Sequence, residues 1–128
     1  MKRVRLTQKK GPYRIQAEAL LLGNDLVVSI WGGSEPHLGA VALAMPRPSL
    51  RDSAVTSSTS SVLTRLGHKE DEIVKKVSER LAAGLNSVVV VSAGIHWDDI
   101  SEEGIRTIDS LCEKLINRLI LRILEKTQ

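Results

Sequence analysis

Aromatic side chains are nearly absent from this sequence. Tyr13, Trp31 and Trp97 are the whole complement, and phenylalanine does not occur. The core must be aliphatic, and a nucleic-acid surface built on stacked rings is excluded for want of rings. Cysteine is almost as scarce. Cys112 stands alone, so no disulfide can form within the chain, which fits a reducing, cytoplasmic setting. It falls in a helical apolar pattern and reads as a small buried residue. Long apolar runs are also missing. Ser87 to Ile95 is about half of the ~20 residues that a membrane-spanning helix needs. The basic start (Lys2, Arg3, Arg5, Lys9, Lys10) meets Gly11-Pro12 rather than an apolar segment, so neither a secretory leader nor a membrane partner is expected. The net charge is only +3, from 18 basic and 15 acidic residues. The basic start reads as a solvated edge, and a nucleic-acid partner is not expected.

What is present is ordinary for a globular protein. Hydrophobic residues make up 42% of the 128 and charged residues 26%. One domain over residues 1–128 is expected, burying roughly two-thirds of the surface that its unfolded chain exposes.

Period-two alternation marks a half-exposed strand over Lys2 to Gln8, with Arg3 and Arg5 against Val4 and Leu6. A second runs from Tyr13 to Leu22 after the Gly11-Pro12 turn signal. Gly23-Asn24-Asp25 predicts a hairpin into a third strand, Leu26 to Trp31. Gly32-Gly33-Ser34-Glu35-Pro36 breaks the chain. His37 to Met45 reads as a fourth strand ended by Pro46 and Pro48. Ser53 to Thr64 holds eight hydroxyl residues in twelve positions, punctuated by Val55, Val62 and Leu63, and reads as a fifth strand with a polar face.

Ile73, Val77, Leu81 and Leu85 recur every four residues, predicting a helix over Glu70 to Leu85 that begins with Glu70, Asp71 and Glu72 at its positive end. Ser87 to His96 reads as a strand buried on both faces. The last helix runs from Ser101, with its cap at Asp99 or Ser101. Ile105, Ile108, Leu111, Leu115, Leu119 and Leu124 line one side, and Ile116, Ile120 and Ile123 widen the stripe. Such width suits a deep core position or a homodimer interface through this C-terminal helix. The order βββββαβα predicts an α+β fold: a mostly antiparallel sheet of about six strands with two helices on one face.

The histidines carry the chemical signal. His37, His68 and His96 each stand at an expected strand end or loop, with a glycine within two residues. Binding sites collect at such loops. Three imidazoles can hold zinc, although spacings of 31 and 28 residues resemble no local metal motif. His96 oriented by Asp98 or Asp99 could serve as an acid or base. Glycine NH groups, hydroxyls, Lys69 and Arg47 beside the histidines suit an anionic cofactor. Histidines that merely hydrogen-bond in loops are the plain alternative. Gly32-Gly33 opens no expected helix and is no dinucleotide fingerprint, and no GxSxG elbow occurs. Trp31 suits core packing more than cofactor stacking, whereas Trp97 suits a ligand contact as well as partial burial.

Gly32-Gly33, then Pro36-His37-Leu38-Gly39-Ala40-Val41, then Gly67-His68-Lys69 and Ala93-Gly94-Ile95-His96 resemble, in this order, the LpdD-like family of prenylated-flavin chaperones. The resemblance spans roughly residues 13 to 120. It implies a fold like that of proteasome-assembly chaperones. It also implies a helper rather than an enzyme, one that binds prenylated FMN (or FMN) and supports its maturation or delivery to a UbiD-like decarboxylase. A flavin prenyltransferase is a further partner it admits. Carried onto this chain, Gly32, Gly33, His37, His68, Lys69, Gly94, His96 and Trp97 would form the cofactor pocket. A ligand-free assembly chaperone and a small three-histidine metalloenzyme are the competing expectations.

Overall fold

The computed structural model describes residues 2–65 and 70–127. Three strands open the chain: β1 (Lys2–Lys10), β2 (Tyr13–Leu22) and β3 (Asp25–Gly33). Two-residue turns join them, with Lys10 opposite Tyr13 and Leu22 opposite Asp25. Gly11 and Gly23 take the positive φ, 58° and 62°, that such turns require at their first loop position. β4 (Ala40–Pro48) and β5 (Thr56–Thr64) form a second antiparallel pair. Helix α1 (Asp71–Leu85) leads into β6 (Val89–His96), and α2 (Glu102–Thr127) closes the fold.

The six strands make one sheet in the order β1-β2-β3-β6-β4-β5. β6 enters between the two antiparallel units, parallel to β3 and antiparallel to β4. The mostly antiparallel α+β architecture is as expected. Alternate residues give one buried face, including Val4, Ile15, Ala19, Val28, Val91 and Ala42. The helices cover it, α1 over β4, β5 and β6, and α2 over β1 and β2. With few large rings available, small alanines on the strands let the leucines and isoleucines of the helices sit close, as interior packing density demands.

Four details depart from the sequence reading. His37 precedes β4, because the Gly39 N–H donates to the Ala93 carbonyl (2.9 Å) and the chain before it forms a loop. β4 runs on through Pro46 and Pro48. Its pairing with β6 stops at Ala44, so beyond that point one side of β4 is a free edge where a missing N–H costs nothing. β5 starts at Thr56 rather than Ser53. Its hydroxyls serve α1: Ser58 Oγ donates to the Glu79 carbonyl (2.8 Å) and Ser60 Oγ to Glu79 Oε2 (2.6 Å). β6 buries Val89, Val91 and Ala93 fully, but Val90 and Ser92 on its other side are only half-buried.

The helix ends follow elementary capping rules. Asn86 adopts the left-handed conformation (φ 50°) at the α1 C-cap. At α2 the cap is Ser101, whose Oγ accepts the Gly104 N–H at 3.0 Å. Much of the wide α2 stripe is used inside the subunit: Leu111, Leu115, Ile116, Leu119 and Ile123 are all buried, whereas Ile105 and Leu124 stay exposed. No helix among the described residues is long and apolar enough to cross a membrane.

Candidate functional site

The first halves of α1 and α2 diverge above the end of β6 and leave a cleft of about 760 Å³. Ile73 and Val77 of α1 form one wall, and Ile105, Ile108 and Cys112 of α2 the other. Ile95 of β6 also lines it, together with Trp97 and Ile100. Polar groups gather at one end: His37, Glu70 and His96, with Glu72, Lys76 and Asp109 along the helices. A mainly apolar slot with a few convergent polar groups is the ordinary form of a small-molecule site, and its volume lies within the ~300–1,000 Å³ usual for one.

Glu70 organises the polar end. It is buried just before α1, and its Oε1 lies 2.8 Å from His37 Nε2 while also accepting the Ile95 N–H at 3.3 Å. One carboxylate thus ties the His37 loop, the end of β6 and the start of α1. On the other side of the ring, His37 Nδ1 lies 2.8 Å from the Glu35 carbonyl oxygen, which can only accept, so Nδ1 carries a proton. His96 Nε2 meets Asp98 Oδ1 at 2.9 Å, and its ring stands at 74° to that of His37, centroids 6.5 Å apart. Trp97 packs edge-on to Tyr13 (5.3 Å), which the buried Gly104 admits under α2. At the open flank, Lys76 and Arg80 both pair with Glu113 at 2.6 Å and hold its carboxyl below the ordinary range.

Of the residues singled out in the sequence, His37, His96 and Trp97 come together at this cleft. Gly32, Gly33 and Gly94 do not line it. They are small because backbone passes over them: a side chain on Gly33 would overlap the His96 carbonyl, one on Gly94 the His37 carbonyl, and one on Gly32 the β2 backbone. Gly94 therefore seats the His37 loop and Gly33 the end of β6 at His96, whereas a side chain on Gly39 would overlap the Glu70 carboxyl. His68 and Lys69 lie outside the described residues. Trp31 sits half-exposed on the opposite sheet face, away from the cleft. Among the described residues no three His, Cys, Asp or Glu side chains are disposed to hold a metal ion. Sequence reasoning missed Glu70, which it read as a helix-dipole partner, and it missed the cleft itself. The only signal was indirect: the apolar stripes of two helices that meet the same sheet.

Cys112 sits at the cleft wall, and burial pushes its thiol up to about 12, with the Lys76 ammonium pulling weakly the other way. The folded value lies above the ordinary 9.0, so the folded chain keeps a proton that the unfolded chain loses. Stability is unaffected below that value and should fall as pH rises from 9.0 toward 12. At pH 8, maleimide should modify Cys112 on the order of 10³-fold more slowly in the folded chain than in urea, in proportion to the thiolate fraction. Mass-spectrometric time courses in both states check this.

Both the sequence and the fold match known proteins. The model of the prenylated flavin chaperone LpdD-like domain matches residues 9–124. The chain belongs to that family. Protein LpdD of Lactiplantibacillus plantarum is 24% identical over 120 residues, covering 89% of this chain and 80% of LpdD. A chain from a chaperone complex for yeast 20S proteasome assembly has the same fold, with a TM-score of 0.57 at 14% identity, covering 92% of this chain and 94% of that one.

Proposed function

We propose that this protein, one domain over residues 1–128, binds prenylated FMN in the cleft between α1 and α2 and supports that cofactor's maturation or delivery to a UbiD-like decarboxylase in the cytoplasm. The observation that carries the reading is the shape and chemistry of the cleft. A flat tricyclic ring and its prenyl addition need apolar walls on both sides, which Ile73, Val77, Ile105 and Ile108 supply. The polar edge of a flavin needs donors and acceptors in fixed positions, which Glu70 and His96 supply, with His37 holding Glu70 in place. Lys76 at the rim offers a cation for the phosphate, and Lys69 is the second candidate. The bound group would supply the azomethine-type chemistry used by the decarboxylase. This chain's own residues hold the ring, shield it from water and fix protons at the His37 and His96 nitrogens. A helper role rather than substrate turnover suits a chaperone family.

Co-expression with a flavin prenyltransferase, with purification under anaerobic conditions, tests this. Absorbance and mass spectra should show bound prenylated FMN, lost when Ile108→Trp fills the cleft and reduced at least tenfold by His37→Ala or His96→Ala. A folded wild-type protein that emerges without flavin, or an Ile108→Trp variant that keeps it, overturns the assignment. A colourless protein that still captures the decarboxylase would leave a ligand-free assembly chaperone as the function.

A further inference from the structure

Away from the polar end of the cleft, the two helices close on one another. Gly84 of α1 leaves room for Ile120 of α2, whose Cδ1 would stand 3.1 Å from a Cβ at that glycine. Just short of this crossing, one carboxylate joins the helices. Glu113 of α2 accepts Lys76 Nζ on Oε1 and Arg80 Nη1 on Oε2, each at 2.6 Å. Arg80 Nη2 also donates to Asn117 Oδ1 at 3.3 Å. Lys76 lines the cleft, and Arg80 stands one helical turn further along α1. Two cations share one anion here, so the trio carries a net positive charge. Exposed pairs of this kind add little to stability. Glu113 is 42% exposed and can turn to water without leaving a buried contact behind.

We propose that Lys76 and Arg80 form the phosphate subsite of the cleft and that Glu113 fills it in the empty protein as a competing anion, an inference that rests on the flavin reading. Glu113 swings to water when the ligand phosphate arrives and returns as it leaves. Three observations carry this. The first is the pairing itself. Each oxygen of the carboxylate holds one cation, and a phosphate monoester presents two oxygens in the same manner. Asn117 stays with Arg80 when Glu113 departs, so the guanidinium remains aimed. The second is position. Helical rise sets Lys76 roughly 9 Å and Arg80 roughly 15 Å along α1 from Glu70. An extended ribityl chain carries the phosphate about that far from the pyrimidine edge, which lies with Glu70 and His96 in this reading. The third is the surrounding charge. Glu72 and Asp109 line the cleft and repel a dianion between its ends, so the phosphate belongs beside the cation pair. Glu113 itself stays ionised, since both cations hold its carboxyl below the ordinary range. A resident anion lowers the affinity for the ligand and gives the cations a partner as the phosphate departs. A chain that hands its cofactor on needs both effects.

Anaerobic titration calorimetry on the full chain tests it, with reduced prenylated FMN and with the same flavin after phosphatase treatment. Wild type should bind the phosphorylated form about tenfold more tightly or better. Arg80→Met should erase most of that preference while leaving the affinity for the dephosphorylated flavin unchanged. Glu113→Gln should tighten binding of the phosphorylated form by about fivefold, and slow its release in stopped-flow by a similar factor. It should not alter binding of the dephosphorylated form. In an Arg80→Met background the gain from Glu113→Gln should shrink, because the two side chains act on the same phosphate. A Glu113→Gln variant that binds the phosphorylated flavin no better than wild type, or that shifts both flavins alike, marks a plain interhelical clasp and overturns the proposal while the flavin reading stands. A wild type that binds neither flavin overturns that reading and this inference with it. Should Arg80→Met fail to fold, the comparison of both flavins on Glu113→Gln decides alone.

Discussion

Gly94→Ala should lower the melting temperature by roughly 10 °C and dismantle the polar end of the cleft. The added methyl would fall inside the van der Waals envelope of the His37 backbone. That backbone cannot drift away freely. The Gly39 N–H holds it to Ala93, and its imidazole is held by Glu70. Inserting one carbon into such a contact costs about 1–3 kcal/mol, and displacing the Glu70–His37 pair adds to it. For a domain of this size each kcal/mol moves the midpoint by about 4 °C. Gly23→Ala provides the contrast. Nothing lies within 4 Å of the position where its Cβ would stand, so the positive φ alone is at issue and a loss of about 1 kcal/mol is expected. Thermal denaturation followed by circular dichroism separates the two. A Gly94→Ala variant no less stable than Gly23→Ala would refute the close-approach explanation.

Glu70→Leu should cost about 2–4 kcal/mol in urea denaturation. The buried carboxyl meets two groups from different elements, His37 Nε2 and the Ile95 N–H. Leucine fills similar space but leaves both groups without that partner, and removing one member of a buried polar cluster costs more than forming it gained. Glu70→Gln keeps a carbonyl oxygen at the same place and should recover at least half of the loss. A Gln variant as damaged as the Leu variant would show that charge, rather than hydrogen-bond geometry, holds the cluster. In the flavin assay both variants test whether Glu70 positions His37: the Leu variant should release flavin while still folded at low temperature.

The local pattern was legible wherever neighbouring residues decide the outcome. Alternation at Val4 and Leu6, the turn chemistry of Gly11-Pro12 and Gly23-Asn24, and the four-residue spacing from Ile73 to Leu85 all read correctly. Non-local pairing was not legible. Nothing in Val88 to His96 says that this strand enters the middle of the sheet, parallel to β3, because register with a strand some sixty residues away leaves no local trace. The end of β4 was misjudged for the same reason: Pro46 and Pro48 are strand breakers unless the missing neighbour on one side is known. At the site, Gly94 beside His96 was visible, but its purpose belongs to the His37 loop, and Gly39 beside His37 makes room for Glu70. Glu70 was hidden because an acidic residue before a helix already has a sufficient local explanation.

The central position of β6 has a consequence for how the chain reaches this structure. β1–β2–β3 and β4–β5 can pair as soon as each is complete, by short-range contacts. They touch one another only through a strand that follows both of them and α1 in the chain. Until β6 slots in, the inner edges of β3 and β4 present unpaired backbone and aliphatic side chains to any passing chain. Closure of the sheet is therefore expected to be the slow, high-contact-order step of folding. The same event brings His96 to His37 and Ile95 to Glu70, so the cleft exists only once the last strand has found its place.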